Sequence, residues 1–231
     1  MSDAEITEDQ RWYGRRHGRK LRPRRQHLVE TLLPALRAEP GADPSQYFGA
    51  DSDIGEIWME IGFGAGEHLA GQACRHPHVG FIGCEPFVNG VASLLAHIDD
   101  ASIGNIRIHD NDARPFIAAL PDRCLDRLYV LYSDPWPKAR HHRRRLTCRA
   151  NLDQFARLLR PGAAFRFASD HVEFATWTLE NVLRHPAFAW SARRPADWRT
   201  PPDDWIETRY EGKAKAKGLK PVYLTFLRGA D

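Results

Sequence analysis

The residues able to carry chemistry begin with one glycine run and a few acids. Glu60-Ile61-Gly62-Phe63-Gly64-Ala65-Gly66 follows a short apolar stretch and precedes a helical pattern. Glycines at alternate positions let the backbone turn sharply and approach a ligand without side-chain clash. A dinucleotide fingerprint would carry its third glycine one residue later, where Glu67 stands. A negative side chain at a helix start also repels a pyrophosphate. A zwitterionic nucleoside without phosphate, such as S-adenosylmethionine (SAM), fits this turn, with Glu60 facing its ammonium group. Glu85 comes 19 residues after Gly66, where an acid can accept from both ribose hydroxyls. In Asp110-Asn111-Asp112 a carboxylate can accept from an adenine amino group.

A fourth segment, Tyr132-Ser133-Asp134-Pro135-Trp136-Pro137-Lys138, follows another apolar run. Two prolines and a tryptophan make a stiff loop that would hold Asp134 near a transferable group. Trp136 serves packing as readily as base stacking. The cations of Lys138–Arg145 follow at once and would grip phosphates around a target nucleotide, which positions it without reading sequence.

These residues need a scaffold that brings strand ends together. Helical spacing of Leu28, Val29, Leu32, Leu33 and Leu36 predicts a helix over Gln26–Leu36. Strands are expected at Gly55–Ile61, Val79–Cys84, Asn105–His109, Leu125–Tyr132 and Ala163–Ala168. Helices are expected between them, at Glu67–Arg75, Val88–Ile98, Arg114–Leu120 and Thr147–Leu159, and then at His171–Arg184. Phe188–Ala192 and Val222–Leu227 supply two further strands. Alternation of this kind argues for an α/β fold with a parallel sheet. Glu60, Glu85, Asp112 and Asp134 then fall at the carboxyl ends of strands, where open α/β sheets bind ligands.

The net charge of +3 conceals an uneven distribution. Residues 11–25 carry eight basic and no acidic side chains, residues 138–149 six and none, and residues 209–220 five against Glu211 alone. These 39 residues hold +18, which leaves −15 on the other 192. An acidic body with basic segments points to a polyanionic partner, most often nucleic acid. Residues 1–10 are expected to be unstructured and residues 11–25 too charged to pack, so 1–25 reads as a basic, flexible arm ahead of a domain at 26–231.

The polar, acidic start Met1-Ser2-Asp3-Ala4-Glu5 is unlike a signal peptide, and no apolar run approaches the ~20 residues of a membrane span. Cys74, Cys84, Cys124 and Cys148 form no CxxC pair, and the 11 histidines show no ligand spacing. The expectation is a cytoplasmic protein without membrane or metal.

Taken together, the residues resemble the class I SAM-dependent methyltransferases, and more closely the tRNA (guanine-N7-)-methyltransferase family. The resemblance runs from Gly18 to Arg228. It rests on Glu60–Gly66, Asp134–Arg145 (DPWPKARHHRRR), Ala168-Ser169-Asp170 and Thr208-Arg209-Tyr210-Glu211. Ser133 stands where the family often has proline, and Ser169 where it usually has threonine. The resemblance implies a Rossmann-like fold with a mostly parallel seven-stranded sheet and helices on both faces. It implies SAM contacts at Glu60, Glu85 and Asp112, with Gly62, Gly64 and Gly66 forming the turn and Asp134 at the catalytic position. It implies tRNA or guanine contacts at Lys138, Asp170, Thr208, Arg209, Tyr210 and Glu211, and RNA contacts at Arg140, Arg143, Arg144 and Arg145. The expected reaction is methylation of a guanine N7 in the tRNA variable loop. The rival readings are an exocyclic-nitrogen methyltransferase acting on RNA or DNA and a non-catalytic RNA-binding protein on the same fold. The oligomeric state stays open.

Overall fold

Parallel pairing puts the ends of the first four strands at one level. In the computed structural model, which describes residues 14–49 and 52–230, β1 (Glu56–Ile61) pairs with β2 (Val79–Cys84) and β4 (Leu125–Leu131). β2 pairs with β3 (Ile106–His109), and β4 with β5 (Leu159–Ser169). The register aligns Ile61 with Cys84 and Val130, and Cys84 with His109. β7 (Val222–Arg228) runs antiparallel between β5 and β6 (Phe188–Trp190), which gives the order β3-β2-β1-β4-β5-β7-β6. The chain steps outward from β1 to β3 and then returns to the other side at β4. A ligand crevice opens at such a switch point.

Both faces of the sheet are covered, so its central strands are apolar throughout rather than alternating. β2 (VGFIGC) is buried at every residue, and β1 at all but Glu56. On one face Leu69 of α3 (Glu67–Arg75) and Val91, Leu94 and Leu95 of α4 (Val88–Ala101) join Phe81 and Ile106. Leu28 of α1 (Pro23–Thr31) and Leu33 of α2 (Leu33–Leu36) complete that layer. The other face packs Phe116 of α5 (Ala113–Ala119), Phe155 of α6 (Arg149–Leu158) and Phe174 of α7 (Val172–Leu183) against Met59, Val130 and Phe167. Two late helices, α8 (Ala196–Arg199) and α9 (Arg209–Ala216), precede β7.

Several elements differ from expectation. The helix expected over Gln26–Leu36 starts earlier, at Pro23, and breaks at Leu32. Pro34, lacking an N–H, suits only the first turn of a new helix. β5 begins at Leu159, ahead of the expected Ala163, and takes in Arg160-Pro161-Gly162 with a register shift opposite Leu125 and Arg127. α9 lies in a stretch whose composition shows only a basic run. Its signal is Thr208-x-x-Glu211, the pattern of a capping box, and Thr208 Oγ1 accepts from Glu211 N at 3.1 Å.

Charge does not keep the described part of the basic N-terminal segment off the body. Arg16 O accepts from Val88 N at 2.9 Å, and Gly18 N donates to Asn89 Oδ1 at 2.8 Å. Arg24 bridges Asp99 and Asp100 on α4. Residues 1–13, including Arg11, lie outside the described residues.

Candidate active site

The switch point holds a cavity of about 460 Å³. Ile61, Gly62 and Gly64 form one wall, Glu85 and Phe87 a second, and Leu131 through Asp134 a third. Gly62, Gly64 and Gly66 all have positive φ, at +77°, +59° and +84°. Side chains rarely adopt these angles, which is why the turn is built of glycine.

The three glycines then divide the labour. Gly62 has open space where a Cβ would stand, and it faces the cavity. Gly66 caps α3, and a Cβ there would lie 2.8 Å from Leu94 Cβ, so it serves packing and lines no part of the cavity. Gly90, which the motif does not include, belongs to the same construction. A Cβ on it would meet Gly64 O at 2.2 Å, so α4 can press on the turn only with glycine there. A glycine inside a helix, costing roughly 1 kcal/mol against alanine, is the signal in the sequence that could have found it.

Glu85 is anchored by two backbone donors. Gly64 N reaches Oε2 and Phe87 N reaches Oε1, both at 2.9 Å. Burial pushes its pKa up to about 6, against the pull of those two bonds, and the Asp134 and Glu60 carboxylates add to the rise. Asp112 lines the cavity as the N-cap of α5, accepting from Arg114 N at 3.1 Å. A carboxylate has about four acceptor positions, so each of these acids keeps capacity for a ligand.

Glu60 is not among the residues that line the cavity. It is 2% exposed, and its Oε2 lies 2.7 Å from Nδ1 of His68, itself buried on α3. Side chains alternate along a strand, so Ile61 faces the cavity and Glu60 is turned away. Its contact ties β1 to α3.

The Asp134 loop is strained at both ends. Tyr132 and Trp136 have φ of +51° and +42°, rare for bulky residues and common at functional sites. Asp134 sits at the open mouth, and desolvation by the cavity walls raises its carboxyl above the ordinary aspartate value. Trp136 lines the cavity, with the Arg144 guanidinium 5.2 Å from its ring centre.

A second cavity, of about 310 Å³, adjoins the first and shares Tyr132, Ser133 and Tyr210 with it. Asp170 lines it, together with Lys213 and Lys217, one turn apart on the α9 segment. In the sequence these two lysines are indistinguishable from the rest of their basic window. Lys215 turns the other way, to Glu207 and Glu211.

The remaining expected residues scatter. Lys138, Arg140 and Arg143 are exposed on and beside a 3-10 turn over Ala139–Arg144, while Arg144 turns into the first cavity. Arg145 is fully buried against Glu173 and the Asp134 loop, which removes it from any phosphate-facing surface. Thr208 caps α9 and is nearly buried. Glu211 is buried as well, accepting from Trp205 Nε1 at 2.7 Å and Tyr223 Oη at 2.6 Å. Arg209 is exposed, 3.7 Å from Glu67. Of the Thr208–Glu211 motif, Tyr210 is the member that borders both cavities. No group of three metal-ligating side chains occurs among the described residues. None of their helices is long and apolar enough to cross a membrane.

Comparison with known proteins agrees with this architecture. A family described as "Putative methyltransferase" matches residues 55–224. The tRNA (guanine-N(7)-)-methyltransferase of Rhodospirillum rubrum is 51% identical over 229 residues, covering 96% of this chain and 89% of that protein. The enzyme of the same name from Brucella melitensis is 47% identical, covering 94% of each chain. That of Agrobacterium fabrum is 44% identical, covering 96% of this chain and all of that one. Among solved structures, the 16S rRNA methyltransferase KamB superposes with a TM-score of 0.60 at 17% identity, covering 84% of this chain and 97% of that one. The 16S rRNA (adenine(1408)-N(1))-methyltransferase from Catenulisporales acidiphilia gives 0.56 at 18%, covering 85% and 98%. Likeness at that identity speaks for the fold alone.

Proposed function

Since the chain belongs to the tRNA (guanine-N(7)-)-methyltransferase family, we propose that it transfers a methyl group from SAM to N7 of a guanine in the tRNA variable loop. The observation that carries this reading is the joining of two cavities at the Asp134 loop. The first offers a glycine turn with acids at its rim, and the second is bordered by cations.

The first cavity suits a nucleoside sulfonium. Its walls are largely apolar, its size falls within the usual range of roughly 300–1,000 Å³, and its glycine turn leaves open space at Gly62. Glu85 would hold the ribose hydroxyls, and Asp112 the adenine amino group. Bound SAM supplies an electrophilic methyl. Guanine N7 offers an in-plane lone pair and carries no proton, so the chain needs no general base. Its task is to hold N7 in line with the methyl, since near-attack placement supplies most of such a rate. The methylated base is cationic, and Asp134, partly stripped of water, would stabilise the charge as it develops. Asp170 and Tyr210 would position the base. Lys138, Arg140 and Arg143 would hold phosphates outside.

Residues 1–25 act in this reading as the basic arm and 26–231 as the catalytic domain. Gly14 and Arg15 line the first cavity, so the arm contributes to its wall. The four cysteines are free, in keeping with a reducing cytoplasm.

Incubation with methyl-labelled SAM and unmodified tRNA, followed by nucleoside analysis, tests the reading. Label in 7-methylguanosine is the expected result. Label on an exocyclic amine, or none with bound SAM, would replace it with one of the rival readings.

A further inference from the structure

Arg145 is the only buried cation of the 138–149 run. All three of its guanidinium nitrogens have partners. Nε donates to Pro135 O at 2.8 Å and Nη2 to Trp136 O at 3.4 Å. Nη1 and Nη2 reach the two carboxylate oxygens of Glu173 on α7, at 3.2 and 2.6 Å. The Trp177 and Phe174 rings lie 4.7 and 5.1 Å from its central carbon. A phosphate could reach this group only by displacing Glu173 and opening the aromatic stack.

The carbonyls it holds belong to the strained loop. Tyr132 enters the loop with a left-handed φ and is anchored by its N–H to Ala168 O at 2.8 Å. Trp136 leaves it with a second left-handed φ. Such angles persist only where the surroundings over-determine them. Asp134 stands between the two anchors, so its place is inherited from the backbone on either side.

We propose that Arg145 is a positioning residue for methyl transfer, a buried strut that fixes the Asp134 loop to α7 through Glu173. The proposal rests on the methyltransferase reading and reassigns a residue expected to touch RNA. It requires the planar fork of arginine. A lysine keeps the charge but is a point donor and cannot serve two carbonyls and a carboxylate from one plane.

Arg145→Lys and Glu173→Gln distinguish the roles. Glu173 is about half exposed, so its amide variant keeps the fold even if the arginine variant does not. Three measurements are needed: the single-turnover methylation rate at saturating tRNA, tRNA affinity over a salt series, and amide hydrogen exchange without tRNA at Tyr132, whose N–H is bonded to Ala168 O where the loop begins. A strut predicts that both variants slow methylation by about 10- to 100-fold and speed exchange at the Tyr132 amide. Their tRNA affinity and salt slope should match the parent protein. Parental exchange and rate in both variants would overturn the proposal. So would weaker tRNA binding with a flatter salt slope in Arg145→Lys at an unchanged rate, or tighter binding in Glu173→Gln at an unchanged rate. If the parent protein makes no 7-methylguanosine, the functional reading fails separately, and the exchange data still decide whether Arg145 holds the loop.

Discussion

Gly64 N donates to Glu85 Oε2 at 2.9 Å, which fastens the glycine turn after β1 to the acid after β2. The bond makes one unit of two segments separated by a whole helix. It also holds a carboxylate in a site whose burial lifts its pKa to about 6.

If Glu85 holds the ribose as proposed, that pKa sets the pH dependence of SAM binding. On the proposed reading the ionised carboxylate would accept from both ribose hydroxyls, and the protonated form would lose acceptor capacity. SAM affinity should therefore be constant above neutral pH and fall as pH drops through about 6, approaching about tenfold per unit below it. Calorimetric titration between about pH 5 and 8 checks this. Glu85→Gln should bind more weakly and lose the inflection, and an unchanged profile in that variant would assign the titration elsewhere.

Asp134→Ala should retain SAM binding and lose methylation by about 10²–10³-fold, the usual cost of removing one preorganised electrostatic stabiliser. Equilibrium binding and single-turnover rates separate the two effects. Normal turnover would remove Asp134 from the chemistry.

Arg140 and Arg143 lie exposed on the surface beyond the Asp134 loop. Replacing both with glutamine should weaken tRNA binding and flatten its salt dependence by roughly 0.7–0.9 in slope for each phosphate that is no longer neutralised. Filter binding over a salt series measures the slope. A slope equal to the parent's would place the RNA on another face.

Glu211→Gln should lower thermal stability more than it lowers saturated turnover. Hydrogen bonds from Lys215, Tyr223 and Trp205 hold the carboxylate's pKa below the ordinary glutamate value despite burial. Its stabilising contribution is present above about pH 4.5 and is lost as pH falls through the depressed value. Thermal melts at about pH 4 and pH 7 should thus differ more in the parent than in the variant. Lys215 is partly exposed, so the loss is of order 1–2 kcal/mol, typical of a hydrogen bond to a charged group. A stable variant that fails only in turnover would instead mark Glu211 as a substrate contact.

The succession of strands and helices, and where the strands end, were largely legible in the chain. Runs such as VGFIGC and LDRLYVL must be buried, and glycine or acid at their ends marks where the backbone turns. Glu85, Asp112 and Asp134 reach the cavity for that reason. Strand alternation turns Glu60 toward His68 on α3, a partner that its place in the motif does not show.

Neighbouring residues in irregular segments were not separable in this way. Arg144 lines the cavity while Arg145 is sealed behind the loop. Tyr210 faces both cavities while Glu211 joins Trp205 and Tyr223. The two arginines have the same chemistry and adjacent positions. Periodic burial and turn chemistry are local, so the sequence by itself determined the elements, their alternation and the acids at the strand ends. The direction of a side chain in a 3-10 turn or a capped loop depends on partners such as Glu173, 28 residues from Arg145. Only the packed tertiary structure brings such partners together, and it alone decided which cations remain on the surface and which became part of the scaffold.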